Sequence, residues 1–593
     1  MKHYTKEEIL TILKRHENTP VAFTAQDAAS VLANPALELY LKILKDDVEA
    51  HKSKPVSVIP FSLFRRYDED GNRKQYEDVY FERRQKLLAY TLHLWLYEDS
   101  DVLAPLQDTI WAILEEYTWC LPAHLMGRSL TRVQDEETFV VDLFAAETGH
   151  ALAETLSLVG DKLHPIVVSR IHKEIERRIF ARAYQNKGEF FWHTVTNNWS
   201  AVCSGAVGMA AIYEIRDTER LAEILETSLS TLENFYRGFP EDGTCLEGLS
   251  YWNYGFGYFM SFADMLFRYT DGEIDLFADE HVKNIALFYT KMFFKGSRTV
   301  SFSDGGTYGK CALGALGMLK RHYPDFELPG ADYITFGYSG RGCARFALTV
   351  RDAVYALPEF KTSTRDVTGT YILPDAAWYI SSSKNGVGIA AKAGHNDEPH
   401  NHNDVGAFLI YKNGMQIIAD IGSGEYTKQY FSKERYDIFC NSSASHSVPI
   451  VNGEYQKPGK MYAARDVSFS ENGLSLDLAG AYGIESLSAL RRSIVFDKES
   501  GVTTVSDSFR FDERPVSVTE RFVAPTEPEI FSDRVEITVG NEKMAIYYEA
   551  EKCTPKSTLV VDKSHLAKDR ETYVIDFELI SPAEECDLSF IFK

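Results

Sequence analysis

The sequence predicts a two-domain α+β protein in which a helical domain is followed by an antiparallel β-sandwich. Three observations support this fold class. The chain has 593 residues, which is too long for one hydrophobic core. Its first part has apolar residues at helical spacing, and from Tyr371 onward short strands alternate with turns. Because helical and strand patterns do not alternate along the chain, a doubly wound parallel sheet is excluded.

Residues 1–360 form the predicted helical domain. A representative stretch has apolar residues spaced by three, four and four positions: Val168, Ile171, Ile175 and Ile179. Comparable amphipathic stretches occupy residues 34–49, 80–98, 102–118, 138–158, 201–215, 219–236, 256–269 and 279–294. Short connections containing Gly, Pro or Asp favour antiparallel helical hairpins. No sequence motif repeats, and the pattern alone leaves an ordinary helical solenoid open.

Residues 361–593 form the predicted β-sandwich. Strand-like segments include 377–380, 386–390, 493–496, 502–505 and 573–577. Asn-Gly pairs, which are typical of tight hairpin turns, occur at 385–386, 413–414, 452–453 and 472–473. Many short strands joined by such turns favour a large antiparallel sandwich.

Composition restricts the partners and the compartment. Lys and Arg number 63 against 86 Asp and Glu, and the resulting net charge of −23 argues against nucleic acid and anionic membranes as partners. No segment has the length and hydropathy of a membrane span, and residues 1–10 have no apolar run of signal-peptide length. We therefore expect a soluble cytoplasmic protein, unless a leader has been removed.

The eight scattered cysteines indicate neither a zinc knuckle nor an evident disulfide framework. The sequence makes no prediction of oligomeric state.

The segment from Gly394 to Gly406 has the densest cluster of ionisable side chains. Three histidines and three acidic residues lie within it, directly before the apolar segment 407–411. In an extended chain alternate side chains share a face, so we expect His400 and His402 on one face, about 6–7 Å apart. One of them could then transfer protons while the other holds a ligand.

Two further clusters lie in the helical half. The first is an amide pair among aromatic residues: His193, Asn197, Asn198 and Trp199. Helix capping by Asn is the simpler interpretation, although aromatic surfaces flanking amides also suit a sugar ring. The second combines a carboxylate with closely spaced aromatic residues: Glu247, Tyr251, Trp252 and Tyr254. Such aromatic spacing is more typical of core packing than of catalysis.

Four motifs, in this order, resemble those of the heparinase II/III-like polysaccharide lyases. They are Asn-Asn-Trp at 197–199, Glu-Gly-x-x-Tyr-Trp-x-Tyr-Gly at 247–255, His-x-His-x-Asp-x-Gly-x-Phe at 400–408, and Ser-x-x-His ending at His446. The resemblance covers roughly residues 115–455. It implies an incomplete (α/α) toroid followed by an antiparallel β-sandwich, in agreement with the division predicted from periodicity.

The resemblance also implies a reaction. Enzymes of this family cleave polysaccharides or oligosaccharides containing uronic acid by β-elimination, which removes the C5 proton and leaves an unsaturated uronate. Asn198 matches the residue that neutralises the carboxylate, and Tyr251 the general acid, which for some epimers is also the base. His400 matches the base or carboxylate partner. Residues expected to bind substrate are Asn197, His193, Trp199, Trp252, Tyr254, Glu247 and Tyr426.

The resemblance further implies a structural zinc ion held by His402, Asp420 and His446. It implies no organic cofactor. Strand geometry tests whether these three side chains can lie on the same side of the sheet. A regular two-residue turn at Asn413-Gly414 would direct Asp420 away from His402. The metal set therefore predicts a three-residue loop at 412–414 or a bulge near 404–406. A buried hydrogen-bonded network is the alternative explanation for these three residues.

Two other function classes are open. A glycoside hydrolase would need two carboxyl groups about 5–9.5 Å apart, for which Glu247 is the best single candidate. A catalytically inactive carbohydrate-binding protein would need only the tryptophans. Because the net charge gives no long-range attraction to a polyanion, recognition must be local. Candidate cleft cations are Arg65, Arg66, Arg83, Arg84 and Arg128, for which a solvated helix face is the simpler interpretation.

Overall fold

The computed structural model describes residues 1–17, 19–125, 140–182, 190–338, 343 and 345–593. The chain divides into two compact units. The first, the helical unit, comprises Met1–Gly238, Tyr251–Ala286 and Lys310–Arg365. The second, the β unit, comprises Phe239–Ser250, Leu287–Gly309 and Asp366–Lys593. Residues 239–250 and 287–309, which we expected in the helical domain, thus belong to the β unit.

The helical unit consists mainly of α-helices. The longer ones are Lys6–His16, Ala25–Ala33, Glu38–Lys52, Lys74–Tyr97, Leu103–Leu114, Leu143–Val159, Pro165–Ile175, Asn198–Glu214, Thr218–Arg237, Gly257–Tyr269, Glu280–Leu287, Leu313–His322 and Phe346–Val354. Short helices span Phe61–Phe64 and Arg66–Asp70, and π-helical turns span Glu176–Phe180 and Trp252–Phe256. In the described ranges, no helix combines the length and hydropathy needed to cross a membrane.

Helix ends and close packing follow from local sequence. Thr5 begins the first helix with a capping box, in which its side chain and that of Glu8 exchange hydrogen bonds with the backbone. The predicted stripe from Val168 to Ile179 is realised in Pro165–Ile175 and the π-helical turn after it, with Ile171, Ile175 and Ile179 fully buried. In the helix Asn198–Glu214, a Cβ at Gly208 would lie 2.5 Å from the Phe262 ring, so only glycine allows this packing.

His150, in the helix Leu143–Val159, makes the stability of the helical unit depend on pH. The ring is fully buried beside Glu154, Arg351 and Tyr213. Burial lowers the pKa of His150 to about 4, with Glu154 opposing and Arg351 reinforcing the shift. Below pH 6.5 the unfolded chain therefore binds a proton that the folded chain does not, and stability falls as the pH falls towards 4.

We expect this linkage to cost the helical unit about 2 kcal/mol between pH 7 and pH 5. Urea unfolding of the wild type and of His150→Gln at both pH values measures it, since glutamine cannot bind the proton. The variant should lose less stability than the wild type over this interval. Equal losses in the two proteins would contradict the assignment.

The strands are β1 (Phe293–Phe294), β2 (Arg298–Thr299), β3 (Cys311–Ala312), β4 (Ile334–Thr335), β5 (Tyr371–Leu373), β6 (Trp378–Ser382), β7 (Val387–Lys392), β8 (His395–Asn396), β9 (Phe408–Lys412), β10 (Met415–Ile418), β11 (Ile450–Val451), β12 (Gly459–Ala463), β13 (Arg465–Ser470), β14 (Gly473–Asp477), β15 (Leu487–Phe496), β16 (Thr503–Phe511), β17 (Val518–Ala524), β18 (Glu529–Ile530), β19 (Arg534–Val539), β20 (Glu542–Tyr547), β21 (Cys553–Lys563), β22 (Asp569–Leu579) and β23 (Glu585–Phe592). The short pair β3–β4 is parallel and belongs to the helical unit.

The β unit is built from antiparallel sheets, as predicted. Eight strands form one sheet in the order β13-β14-β15-β16-β23-β20-β19-β18. A five-stranded sheet has the order β10-β9-β7-β6-β5, and a four-stranded sheet the order β11-β17-β22-β21. In several of these strands alternate residues point inward into one core; in β16 every second residue from Thr503 to Phe511 is buried. An aromatic cluster centred on Phe522 joins strands of different sheets there.

Candidate active site

The segment before β9 is a loop, and the predicted extended geometry of His400 and His402 is wrong. Strand β9 begins only at Phe408, and His400 has left-handed backbone geometry with φ 54°. The fully buried Lys392 explains this. Its ammonium contacts Glu398 Oε2 at 3.0 Å and Asp404 Oδ1 at 2.7 Å, so both ends of the loop are tied to the end of β7.

Asp304, which lies in none of the motifs, nevertheless brings both histidines together. His400 Nδ1 donates to Asp304 Oδ2 at 2.5 Å, and His402 Nε2 donates to Oδ1 at 3.0 Å. The hydroxyl of Tyr426 donates to Oδ2 at 3.0 Å, and that of Tyr430 donates to Oδ1. Burial opposes ionisation, but the hydrogen bonds and charges of both histidines hold the pKa of Asp304 well below its usual range.

A tight turn presents Asp304. Gly305 donates its backbone N–H to Phe302 O, and a Cβ at Gly305 would lie 2.7 Å from that oxygen. Ser303, before the carboxylate, has a φ of 58°. The Asp-Gly-Gly sequence at 304–306 is a turn signal that could have drawn attention to this residue. Its partners are about 100 positions away, however, and nothing local identifies them.

Glu247 lies on the other side of the His400 ring. Its Oε1 is 3.4 Å from His400 Nε2. The turn Cys245–Gly248, closed by a backbone hydrogen bond, carries Glu247, and Gly248 has φ +91°. Burial would lower the pKa of His400, but the hydrogen bond to Asp304 and the charge of Glu247 raise it overall.

The proposed metal ligands also meet in the β unit. His402, Asp420 and His446 each offer a ligand atom, and these atoms lie within 4.8 Å of one another in buried surroundings. His402 Nδ1, Asp420 Oδ2 and His446 Nδ1 are buried, and none of them makes a well-aligned hydrogen bond among the described residues, although His446 Nδ1 lies 3.5 Å from Asp420 Oδ2. The second nitrogen of each ring is used: His402 Nε2 donates to Asp304, and His446 Nε2 donates to the Cys440 carbonyl at 3.2 Å. In a neutral ring, each Nδ1 then keeps its lone pair for a metal, which is how metal-binding histidines are usually oriented. The residues therefore fit a cation such as zinc.

Asp420 lies beside His402 because of a feature of the hairpin that differs from both predicted alternatives. The hairpin has a two-residue Asn413-Gly414 turn, with Lys412 opposite Met415, so the predicted three-residue loop is wrong. The register shifts in β10 instead, between Gln416 and Ile418, so that Ile418 pairs with Ile410. One extra residue reverses the alternation of side chains and turns Asp420 to the side of His402. The register shift of this hairpin thus lies in β10, and not near 404–406 where a bulge was predicted.

In the helical unit, the Asn-Asn-Trp motif begins the helix Asn198–Glu214. Asn197 is the N-cap, and its side chain accepts a hydrogen bond from the Trp199 N–H at 3.1 Å. The capping interpretation therefore applies to Asn197. Asn198 is buried, and the site of a Cβ at Gly255 lies 3.0 Å from Asn198 Cβ. The lack of a side chain at Gly255 thus allows the 251–256 segment to pack against Asn198.

The remaining predicted side chains of this unit have different surroundings. Tyr251 is half-buried at the end of the short helix Leu249–Tyr251. Tyr254 donates to Glu147 and accepts a hydrogen bond from Arg345 Nη1 at 3.0 Å; burial raises the pKa of Tyr254 well above its usual value, which keeps the phenol neutral. Trp252 is fully buried, with its indole N–H bonded to Ile285 O at 2.7 Å. With 0% exposure the ring presents no surface to a sugar, which contradicts the substrate-binding role predicted for Trp252.

His193 and Trp199 pack with other aromatic rings. His193 is buried with its ring centroid 4.0 Å from that of Trp192. Trp199 is half-exposed and lies 4.7 Å from Phe191 and 4.9 Å from His124, by ring centroids. A partly exposed indole of this kind keeps the surface that a sugar could contact.

The candidate cleft arginines have structural partners. Arg83 and Arg84 are buried and both contact Glu116, at 3.0 and 2.6 Å. Arg65 and Arg66 each pair with an acidic residue one helical turn later. Arg128 lies outside the described residues.

Residues 372–549 match the family model "Heparinase II/III-like, C-terminal". No curated protein matches the chain. A heparan sulfate lyase HepC mutant from Pedobacter heparinus has a similar structure, with 15% identity and a TM-score of 0.61, over 88% of this chain and 77% of that one. A heparinase III structure has 13% identity and a TM-score of 0.60 over the same shares, 88% and 77%. The chondroitin AC lyase of Streptomyces coelicolor A3, in complex with chondroitin sulphate, has 10% identity and a TM-score of 0.54, over 96% of this chain and 82% of that one. The predicted resemblance and the predicted fold class, a helical toroid followed by an antiparallel β-sandwich, are confirmed.

Proposed function

We propose that this chain, whose residues 372–549 belong to the heparinase II/III-like C-terminal family, is a polysaccharide lyase. It cleaves a glycosaminoglycan-like or alginate-like polysaccharide or oligosaccharide containing uronic acid, by β-elimination. The observation that carries the proposal is the arrangement of side chains around His400. This histidine of the matched domain is held on one nitrogen by buried Asp304, with its other nitrogen 3.4 Å from Glu247.

The chemical difficulty of the reaction is the low acidity of the C5 proton. Removing it places negative charge next to a carboxylate, so donors that neutralise this carboxylate lower the barrier. We assign this task to the Asn198 amide and to His400. Because Asp304 fixes one nitrogen of His400, the ring is already oriented before substrate arrives, and little reorganisation is needed during the reaction.

Tyr251 is assigned the transfer of a proton to the leaving O4 oxygen. A phenol with a pKa near 10 carries its proton at neutral pH, as a general acid must. For the same reason it is a poor base at neutral pH unless its pKa is lowered. The roles of Asn197, Trp199, Tyr254, Glu247 and Tyr426 are proposed as substrate binding.

We also propose that His402, Asp420 and His446 hold a zinc ion with a structural role. A bound zinc would fix the loop that carries His400 to the strand end that carries Asp420. His402 Nδ1 is buried without a hydrogen-bond partner among the described residues, and His446 Nδ1 lies 3.5 Å from Asp420 Oδ2. A cation among these atoms would satisfy all three, whereas a simple hydrogen-bonded network leaves His402 Nδ1 unpaired, which supports the metal assignment.

Glycoside hydrolysis is the less favoured alternative. It needs a second carboxyl group besides Glu247 that can reach the sugar, and the nearest in the His400 contacts is Asp304. The Asp304 side chain has 0% exposure, and each of its oxygens accepts from a histidine and a tyrosine. It therefore has no oxygen left for a substrate proton or a glycosyl carbon.

A substrate panel tests the proposed function. The purified protein is incubated with heparan sulfate, chondroitin, hyaluronan and alginate, and with oligosaccharides of each. We expect ultraviolet absorbance from the unsaturated uronate product to rise with at least one of them. New reducing ends without absorbance would indicate hydrolysis, and neither signal would indicate a binding protein; both results would contradict the lyase assignment.

A further inference from the structure

We propose that Asp304 is a positioning residue that couples the metal-ligand set to His400, so that occupancy of the metal site controls catalysis. The catalytic part of this inference rests on the proposed lyase function. The metal part rests only on the contacts of the β unit.

The contacts of Asp304 are divided evenly between its two oxygens. Oδ1 accepts from His402 Nε2 at 3.0 Å and from Tyr430. Oδ2 accepts from His400 Nδ1 at 2.5 Å and from Tyr426 at 3.0 Å. Because the carboxylate is rigid and planar, a rotation that follows one histidine must displace the oxygen that holds the other. One side chain thus connects a proposed ligand to a proposed catalytic residue.

Asp304 also determines which atom His402 presents to the metal. With Nε2 donating to Asp304, the opposite nitrogen, Nδ1, lies with Asp420 and His446. Loss of the carboxylate would free the ring to rotate or to change tautomer, and the ligand set would lose its orientation. Loss of a residue that hydrogen-bonds to a metal ligand typically lowers the metal affinity about 10- to 100-fold.

The position of His400 depends on the same carboxylate because its backbone is strained. His400 has φ 54°, in the left-handed region that non-glycine residues rarely adopt. Such a conformation persists only where surrounding contacts enforce it. Asp304 supplies the contact at Nδ1, and Lys392 holds the two ends of the loop. A change in His402 is therefore transmitted to His400 through Asp304 rather than absorbed by the loop.

The test compares Asp304→Asn with the wild type, and uses Asp497→Asn, an exposed turn residue of the same unit, as the matched control. Zinc affinity is measured by competition with a chromophoric chelator, and kcat and KM with the best substrate of the panel. For Asp304→Asn we expect zinc affinity to fall about 10- to 100-fold and kcat to fall by a similar factor, with KM within about threefold. The control should match the wild type in all three.

A double perturbation tests the coupling itself. Removing zinc from the wild type with the chelator should lower kcat, and removing it from Asp304→Asn should lower kcat no further, because the connection is already broken. If Asp304→Asn changes only zinc affinity or only kcat, or if the two perturbations are additive, the coupling is refuted. Elemental analysis that finds no metal in the wild type, with no zinc binding by competition, would also overturn it.

Tyr430→Phe covers the case in which Asp304→Asn does not fold. It removes one hydroxyl from Oδ1 and leaves the carboxylate and both histidines in place. We expect weaker zinc binding, and an affinity equal to that of the wild type would refute the role of Oδ1. A wild type without lyase activity on any substrate would contradict the proposed function, and this result is distinguishable because zinc competition still measures the metal part.

Discussion

Replacing Tyr251 with phenylalanine is expected to lower kcat by about 10²- to 10⁴-fold while leaving the unfolding midpoint close to that of the wild type. The phenol is assigned the proton transfer to the leaving oxygen, and phenylalanine has no proton to give. Tyr251 is half-buried at the end of a short helix, and phenylalanine keeps its ring, so packing changes little. Initial rates by ultraviolet absorbance and a thermal unfolding curve measure both quantities.

Tyr258→Phe is the matched control for this substitution. Tyr258 lies seven positions later in the same part of the helical unit, fully buried, and its hydroxyl has no hydrogen-bond partner among the described residues. Removing that hydroxyl should leave both activity and stability unchanged. Residual activity of Tyr251→Phe above about a tenth of the wild-type rate would show that another group protonates the leaving oxygen.

Replacing Lys392 with methionine is expected to destabilise the β unit by about 3–5 kcal/mol. The Lys392 ammonium has no exposed surface and contacts the buried carboxylates of Glu398 and Asp404. Methionine fills a similar volume, but it leaves two buried carboxylates without their cation. The loop that carries His400 and His402 would lose the contacts that hold its ends. The midpoint of urea unfolding measures this effect.

A triple variant, Lys392→Met with Glu398→Gln and Asp404→Asn, separates charge from packing. With both carboxylates neutral, most of the lost stability should return, since the cost arises from uncompensated buried charge. Lys412→Met, a half-exposed lysine at the end of β9, is the control and should change stability by less than about 1 kcal/mol. If the triple variant is as unstable as Lys392→Met, the cluster stabilises the unit by packing rather than by charge.

The fold class could be predicted because it depends on periodicity, which is a local property of the sequence. Apolar spacing separated the helical part from the strands, and motif order predicted the resemblance that the family model then matched over residues 372–549. The grouping of residues 239–250 and 287–309 with the β unit could not be predicted in this way. These segments contain turns and two-residue strands such as β1 and β2, which have too few residues to show a period.

The candidate site was predicted in part. The histidines were identified because they lie in the motifs, and Asp420 because the resemblance implies a ligand at its position; the structure brings the three proposed ligands together. Asp304 was missed because its contacts with His400 and His402 join residues about 100 positions apart, and no periodic pattern encodes such a contact. Trp252 was misassigned because an aromatic residue in a core and one in a sugar-binding site look alike in sequence.

The one-residue bulge in β10 makes the proposed metal-ligand set sensitive to chain length as well as to residue identity. Side chains alternate along the strand, so deletion of a single residue between Gly414 and Asp420 would return the hairpin to regular pairing. Asp420 would then point to the opposite face, although every ligand would still be present in the sequence. A related chain with such a deletion would carry all three proposed ligand residues and differ only by a gap of one position in an alignment.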